Sequence, residues 1–201
     1  MLITGIKSKP VYAPLRADAG GRYHLMLGFG PGGNALLRVL GEMQSSAPQA
    51  LEHTRVLVVP DAPRMVAEFT QFGLGAVNPF DAAASLLDTF RTVLEESFMG
   101  TRLYVAGPES FIGLAMKIAL EFDLNKDEIR AEEVGTLARR VYCVHCRTTT
   151  EEVRTNIVRC SGCSRWLLVR DHYSRRLAAY MGVMVDAEAP GELPAIKEVY
   201  L

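Results

Sequence analysis

The four cysteines of the chain stand as two Cys-x-x-Cys pairs, Cys143-Val-His-Cys146 and Cys160-Ser-Gly-Cys163, with residues 147–159 between them. A Cys-x-x-Cys loop turns two thiolates toward one point, and two such loops supply the four soft ligands of a tetrahedral ion. Four thiolates fill the tetrahedron, so Cys143, Cys146, Cys160 and Cys163 define a closed site with no position left for a substrate. Ligand type admits both zinc and iron. Electron-carrying one-iron knuckles tend to place a small residue after each pair, whereas this chain has Arg147 and Ser164 there and a short interval between pairs. That pattern favours zinc, cross-linking a ribbon with little core of its own. Iron is the alternative and would make the chain an electron relay. His145 sits between ligands of a filled site and is read as a supporting or exposed residue. Asp171-His172 has no nucleophile or open metal beside it and reads as a structural pair.

A second group of residues suits an anion. The apolar run Tyr23–Leu27 ends in Gly28-Phe-Gly-Pro-Gly-Gly33, and Asn34, a candidate helix cap, precedes the helical pattern Ala35–Leu40. Strand, glycine loop and helix present backbone amides and a helix N-terminus to a group such as a diphosphate. Gly107-Pro108 closes a later strand, Arg102–Ala106, in the corresponding place. Gly30, Gly32 and Gly107 therefore fall at the candidate nucleotide edge, with Asn34 and Pro108 close by in the chain. The spacing of Gly28, Gly30 and Gly33 also meets the bare dinucleotide fingerprint, but the acidic residue expected about twenty positions later is missing, and Asp61 arrives too late. Two readings stay open: a nucleotide loop, or glycines that only permit a tight turn.

The elements that must carry these residues alternate. Arg55–Val59 is a β-branched run without polar alternation, as in a strand buried on both faces, Arg102–Ala106 reads as a later strand, and Ala76-Val77 begins a further short one. Helical spacing spans Pro63–Phe72, Asp81–Phe98 and Phe111–Phe122. This order predicts an α/β domain with an open parallel sheet, whose ligand edge lies at the carboxyl ends of the strands. Val141-Tyr142 and Trp166–Val169 read as ribbon strands, Thr148–Asn156 as a polar loop, and the proline-punctuated end from Asp186 as an extended arm laid on a partner or on its own sheet.

The chain has 201 residues, a formal net charge of −1 and 49% hydrophobic residues, which fits two ordinary globular domains and offers no overall field for nucleic acid. Arg165, Arg170, Arg175 and Arg176, interleaved with Trp166 and Tyr173, form a local basic patch; a docking face for an acidic partner, a solvated surface and a nucleic-acid ribbon are its three readings. No apolar run reaches the length of a membrane span, and the Met1 segment lacks a signal-peptide run. A cytoplasmic protein with reduced thiols is the expectation.

On these motifs the first half resembles the NAD(P)-binding module of the ferredoxin reductase superfamily. Gly30-Pro-Gly32 matches its first loop, and Ala106-Gly107-Pro108 with Glu133-Val134-Gly135 matches its last strand and ending. The resemblance implies a Rossmann-like fold, with NADP as the nucleotide if one binds. Ala106 replaces the cysteine that flanks the nicotinamide in that family, Asn34-Ala35 replaces its hydroxyl residue and proline, and no flavin domain precedes Tyr23. Hydride transfer needs an acceptor against the ring, so the chain alone is not expected to be a reductase or to hold flavin.

The cysteine pairs followed by Leu168-Val-Arg-Asp-His-Tyr-Ser-Arg-Arg-Leu-Ala-Ala-Tyr-Met-Gly182 resemble the small-subunit family of bacterial dimethylamine monooxygenase, in which a reductase-like domain precedes a cysteine-rich one. That resemblance implies an auxiliary subunit, not catalytic alone, of an NADPH-dependent oxidative N-demethylase, with a haem-dependent demethylase subunit and a flavin and iron–sulfur reductase subunit as partners. The expected layout is a nucleotide-binding-like domain over 1–138, a four-cysteine ribbon over 139–185 and a tail over 186–201. The alternatives are a nicotinamide-binding or one-iron electron-transfer component of that complex, and a nucleic-acid-binding zinc ribbon.

Overall fold

The computed structural model describes residues 8–18 and 20–201; residues 1–7 and 19 lie outside the described residues. Two units form, Tyr12–Gly135 and a discontinuous one of residues 8–11 with Thr136–Leu201.

In Tyr12–Gly135 the strands are β1 (Tyr23–Gly30), β2 (Thr54–Pro60), β3 (Ala76–Pro79), β4 (Thr101–Gly107) and β5 (Ile129–Glu133). The helices are α1 (Gly32–Ser46), α2 (Arg64–Thr70), α3 (Ala83–Glu95) and α4 (Glu109–Glu121). All strand pairs are parallel, in the order β3-β2-β1-β4-β5. The period-2 rule explains why these strands are apolar throughout. Met26, Val56, Val58 and Tyr104 face one core with Leu36, Val39 and Leu40 of α1 and Phe69 of α2. Leu25, Leu27, Leu57, Leu103 and Val105 face the other, with Leu86 and Phe90 of α3 and Ile112 and Ala115 of α4. This is the doubly wound, Rossmann-like sheet expected from the sequence. Strand order reverses between β1 and β4, so the Gly30 and Gly107 turns flank the switch point.

The chain leading into β1 is tied down by side chains. Leu15 N donates to Glu132 Oε2 at 2.6 Å, Ala17 N to Glu42 Oε2 at 3.0 Å and Asp18 N to Tyr104 Oη at 3.0 Å. Asp18 pairs with Arg102 and Arg130, each at 3.2 Å. The Gly20 amide, then the two guanidinium groups, hold its carboxyl below the ordinary carboxylate range despite partial burial. Tyr104 Oη also meets His24 Nδ1 at 3.4 Å, and burial pushes the imidazole pKa down. Both groups have folded pKa values below their unfolded ones, so the unfolded chain binds more protons and stability rises with pH. His24 loses its contribution as pH falls below about 6.5, and Asp18 as pH falls below about 4. Urea midpoints measured at pH 7.5 and pH 5.5 are expected to fall at the lower value, and His24→Phe is expected to flatten that difference; an unchanged slope in the variant would assign the acid sensitivity elsewhere.

The second unit is a five-stranded sheet of β6 (Arg139–Cys143), β7 (Thr149–Val153), β8 (Ile157–Arg159), β9 (Trp166–Ser174) and β10 (Ala179–Met184), in the order β7-β6-β10-β9-β8. Only β6 and β10 run parallel. The interval Thr148–Asn156, read from sequence as a polar loop, contains β7, and β8 follows directly after it. Polar side chains suit β7 because its Glu151 and Glu152 point to solvent from an edge strand, while Val153 alone is buried. The final segment lies on its own unit: Val199 N and Tyr200 N donate to Arg154 O, and Leu137 N to Leu201 O. Ser8 also joins, its Oγ accepting from Tyr173 N at 2.7 Å.

Arg139 closes this small core. Its guanidinium lies between the Tyr180 and Tyr200 rings, 3.9 and 3.8 Å from their centroids, and pairs with Asp171 at 2.8 Å. Asp171 therefore belongs to a structural pair, with Arg139 in place of His172. Arg139→Ala is expected to destabilise this unit by about 3 kcal/mol, because it removes two stacked faces and leaves Asp171 without its cation. Lysine should restore little, lacking a planar face. Denaturant unfolding followed through tyrosine absorbance would show the loss.

Candidate metal centre and glycine loop

The two knuckles are built alike. Cys143 N donates to Thr148 O and Cys160 N to Arg165 O, both at 2.9 Å, while Arg147 N returns to Cys143 O at 2.9 Å and Ser164 N to Cys160 O at 3.0 Å. Arg147 and Ser164 take the left-handed conformation, φ 64° and 60°. A non-glycine residue thus adopts the turn that glycine makes more readily in a knuckle, so side-chain size at these positions does not separate zinc from iron.

The four sulfurs converge, all lying within 4.8 Å of one another. Cys143 and Cys163 are 3.8 Å apart and Cys146 and Cys160 3.5 Å. Ligands at zinc–sulfur bonding distance on a tetrahedron stand about 3.8 Å apart, so the donor set fits one ion. Amides point at the sulfurs: Gly162 N and Cys163 N approach Cys160 Sγ at 3.4 and 3.5 Å. Such donors favour the thiolate, the form that binds metal. The hydroxyl and amide of Thr148 bring the Cys146 thiol down to about 6. Burial instead pushes Cys143 up to about 11. The backbone amide and then the guanidinium of Arg165 lower Cys163. An ion at the centre would hold all four deprotonated whatever their separate tendencies. Cys143 is 0% and Cys160 3% exposed, whereas Cys146 lies at the surface and Cys163 is half-buried. Gly162 is required by packing, since a Cβ there would press on the Thr148 side chain and come within 3.1 Å of Cys146 Sγ.

Thr148 and Arg165 were not singled out as sulfur partners from sequence. Their signal is positional: each stands two residues after the second cysteine of its pair. The basic patch read from sequence is divided. Arg165 adjoins the sulfurs, whereas Arg175 and Arg176 lie past the far end of nine-residue β9, roughly 30 Å along the strand. His145 is exposed.

At the carboxyl edge of the parallel sheet, Gly30, Gly32, Gly107 and Pro108 come together around the β1 and β4 turns. Gly30 has φ 55° and open space where a side chain would stand. Gly32 is pressed against β4: a Cβ would collide with the Ala106 carbonyl and approach Gly107 N at 2.8 Å. Asn34 does not cap α1. Pro31 occupies the N-cap without a side-chain cap bond, and Asn34 is an exposed residue of the first turn. Pro31 also lacks an amide hydrogen, so the donors at this helix end begin at Gly32.

Fold and sulfur cluster together define a class: an open parallel α/β domain joined to a four-cysteine ribbon. The family pattern of the dimethylamine monooxygenase subunit DmmA-like N-terminal domain matches residues 4–129, and that of the DmmA-like C-terminal domain matches residues 140–183. The chain belongs to this DmmA-like family of dimethylamine monooxygenase subunits. It is 35% identical over 115 residues to a heme-dependent oxidative N-demethylase delta subunit from Ectopseudomonas mendocina (strain ymp); that match spans 57% of this chain and 66% of the relative, just under two thirds of its length. Among solved structures, two of the ferredoxin reductase in carbazole 1,9a-dioxygenase are similar. The FAD apo form matches with TM-score 0.45 and 15% identity over 59% of this chain and 34% of that one. The other has TM-score 0.47 and 12% identity over 60% and 40%. Among the described residues no helix is long and apolar enough to cross a membrane.

Proposed function

We propose that the chain is an auxiliary, non-catalytic subunit of an NADPH-dependent dimethylamine monooxygenase. In this reading the ribbon, held by zinc on Cys143, Cys146, Cys160 and Cys163, docks a haem-bearing demethylase subunit and a flavin and iron–sulfur reductase subunit in the cytoplasm, where thiols stay reduced. The observation that carries it is the closed sulfur site in a chain whose two units both match the family: four thiolates leave no coordination position for an amine or oxygen. The 35% identical relative, by its name the delta subunit of a heme-dependent N-demethylase, supports assembly with other chains. Co-expression of the tagged chain with the neighbouring subunits tests this. Recovery of a stoichiometric complex oxidising dimethylamine with NADPH is expected, and a solitary chain would overturn it. Metal analysis of the same material tests zinc, which a coloured one-iron protein would displace.

The open space at Gly30 favours a second reading, an NADP site at the β1–β4 switch point lined by Gly30, Gly32, Asn34, Gly107 and Pro108. Asn34→Asp tests it without disturbing the fold, since the residue is exposed. Saturable NADPH binding weakened by the new charge supports the reading; absence of binding to the natural chain overturns it.

A further inference from the structure

The four sulfurs are unequally sheltered, and that inequality has a chemical outcome. Cys143 and Cys160 are sealed in the ribbon core at 0% and 3% exposure, Cys163 is half-buried, and Cys146 reaches the surface. Cys146 lies 3.5 Å from the buried Cys160 sulfur on the opposite knuckle. A cysteine at the surface whose sulfur lies beside that of a buried one is the arrangement of an attacked thiol with its resolving partner. Arg165 adjoins Cys163, the half-buried ligand.

We propose that Cys146 is an oxidation site through which hydrogen peroxide dismantles the metal centre. The Cys146 thiolate attacks a peroxide oxygen: the S–O bond forms, the O–O bond breaks and hydroxide leaves. The Cys160 thiolate then attacks the Cys146 sulfur, forming the S–S bond and expelling a second hydroxide. The two sulfurs lose two electrons in all, the peroxide gains them, and two protons from solvent complete two waters. A Cys146–Cys160 disulfide retains no thiolate at either position, so the ion loses two of four ligands and departs into solvent. The ribbon then exchanges a four-ligand cross-link for a single bond between the knuckles, which leaves Cys143 and Cys163 without the ion and alters the docking surface. The subunit would thereby report oxidant and release its partners.

This inference rests on the reading that the four thiolates hold one ion, and the experiment separates the two. The full-length chain, as purified, is assayed for bound metal, then titrated with hydrogen peroxide. Metal release and peptide mass maps, with and without reduction, are followed in parallel, and iodoacetamide supplies a second probe. The expected result is modification at Cys146 about tenfold faster than at Cys143 or Cys160, a Cys146–Cys160 linked peptide, and one ion released per disulfide. Equal labelling of all four cysteines, first attack at Cys143 or Cys160, or a linkage excluding Cys146 would overturn the proposal while leaving the metal site standing. Absence of metal from the starting material would instead remove the reading beneath it. No variant is needed, so failure to fold cannot obscure the outcome.

Discussion

Stripping the ion with a chelator, or replacing Cys143 by serine, is expected to unfold the ribbon and leave the parallel-sheet unit intact. The ribbon core is a single cluster that includes two of the ligands, Cys143 and Cys160, with Val141, Val153, Leu167, Val169, Tyr173 and Tyr180. Such a core cannot offset the chain entropy of a five-stranded sheet alone, whereas a structural ion contributes on the order of 10 kcal/mol in small zinc modules. The Tyr12–Gly135 unit has two larger clusters that share no residue with it. Hydrogen exchange read by peptide is the decisive measurement. Protection across 139–184 should vanish on metal removal while β1, β2 and β4 keep theirs; ribbon protection that survives would show that the sulfurs are not its cross-link.

Gly32→Val is the second large effect, expected to cost about 3 kcal/mol or more by the same logic as overpacking a core. The neighbour is the β4 backbone at Ala106 and Gly107, which cannot swing aside as a flexible side chain would. To make room, α1 must lift from the sheet and expose Leu36, Val39 and Leu40, all fully buried. Gly30→Ala provides the contrast. Open space surrounds that position, so only the cost of φ 55° remains, about 1–2 kcal/mol. Urea unfolding of both variants reads the difference. Equal midpoints would mean the helix is free to shift. Because Gly32→Val acts on the fold, loss of nucleotide binding in such a variant would say nothing about a phosphate contact; exposed Asn34 is the cleaner probe.

The alternation of β1, α1, β2, α2, β4 and α4 was legible because strands buried on both faces are continuous apolar runs and the helices between them carry a 3.6 period. The cysteine spacing was legible because metal geometry restricts it. β5 was missed: Ile-Arg-Ala-Glu-Glu is an edge strand whose last residues serve charge pairs, and Glu132 is committed to Leu15 N and Arg38. The polar strand β7 was missed for a similar reason, since an edge needs few apolar residues, whereas β8 is only three residues long, too short to show a period. Asn34 failed as a cap because Pro31 starts the helix earlier. The Arg139 stack was illegible because its three aromatic and charged partners, Tyr180, Tyr200 and Asp171, come from distant parts of the chain and meet only in the folded ribbon.

The ribbon unit is interrupted in sequence: its first strand-like contact, at Ser8, precedes the 124 residues of Tyr12–Gly135, and its remainder follows them. The sheet domain is therefore a guest inserted within its host. A fragment begun at Thr136 would lack Ser8 and its bonds to Asp171 and Tyr173. During synthesis Ser8 must wait for the whole guest to emerge before Asp171 and Tyr173 exist to receive it, so the host closes after the guest.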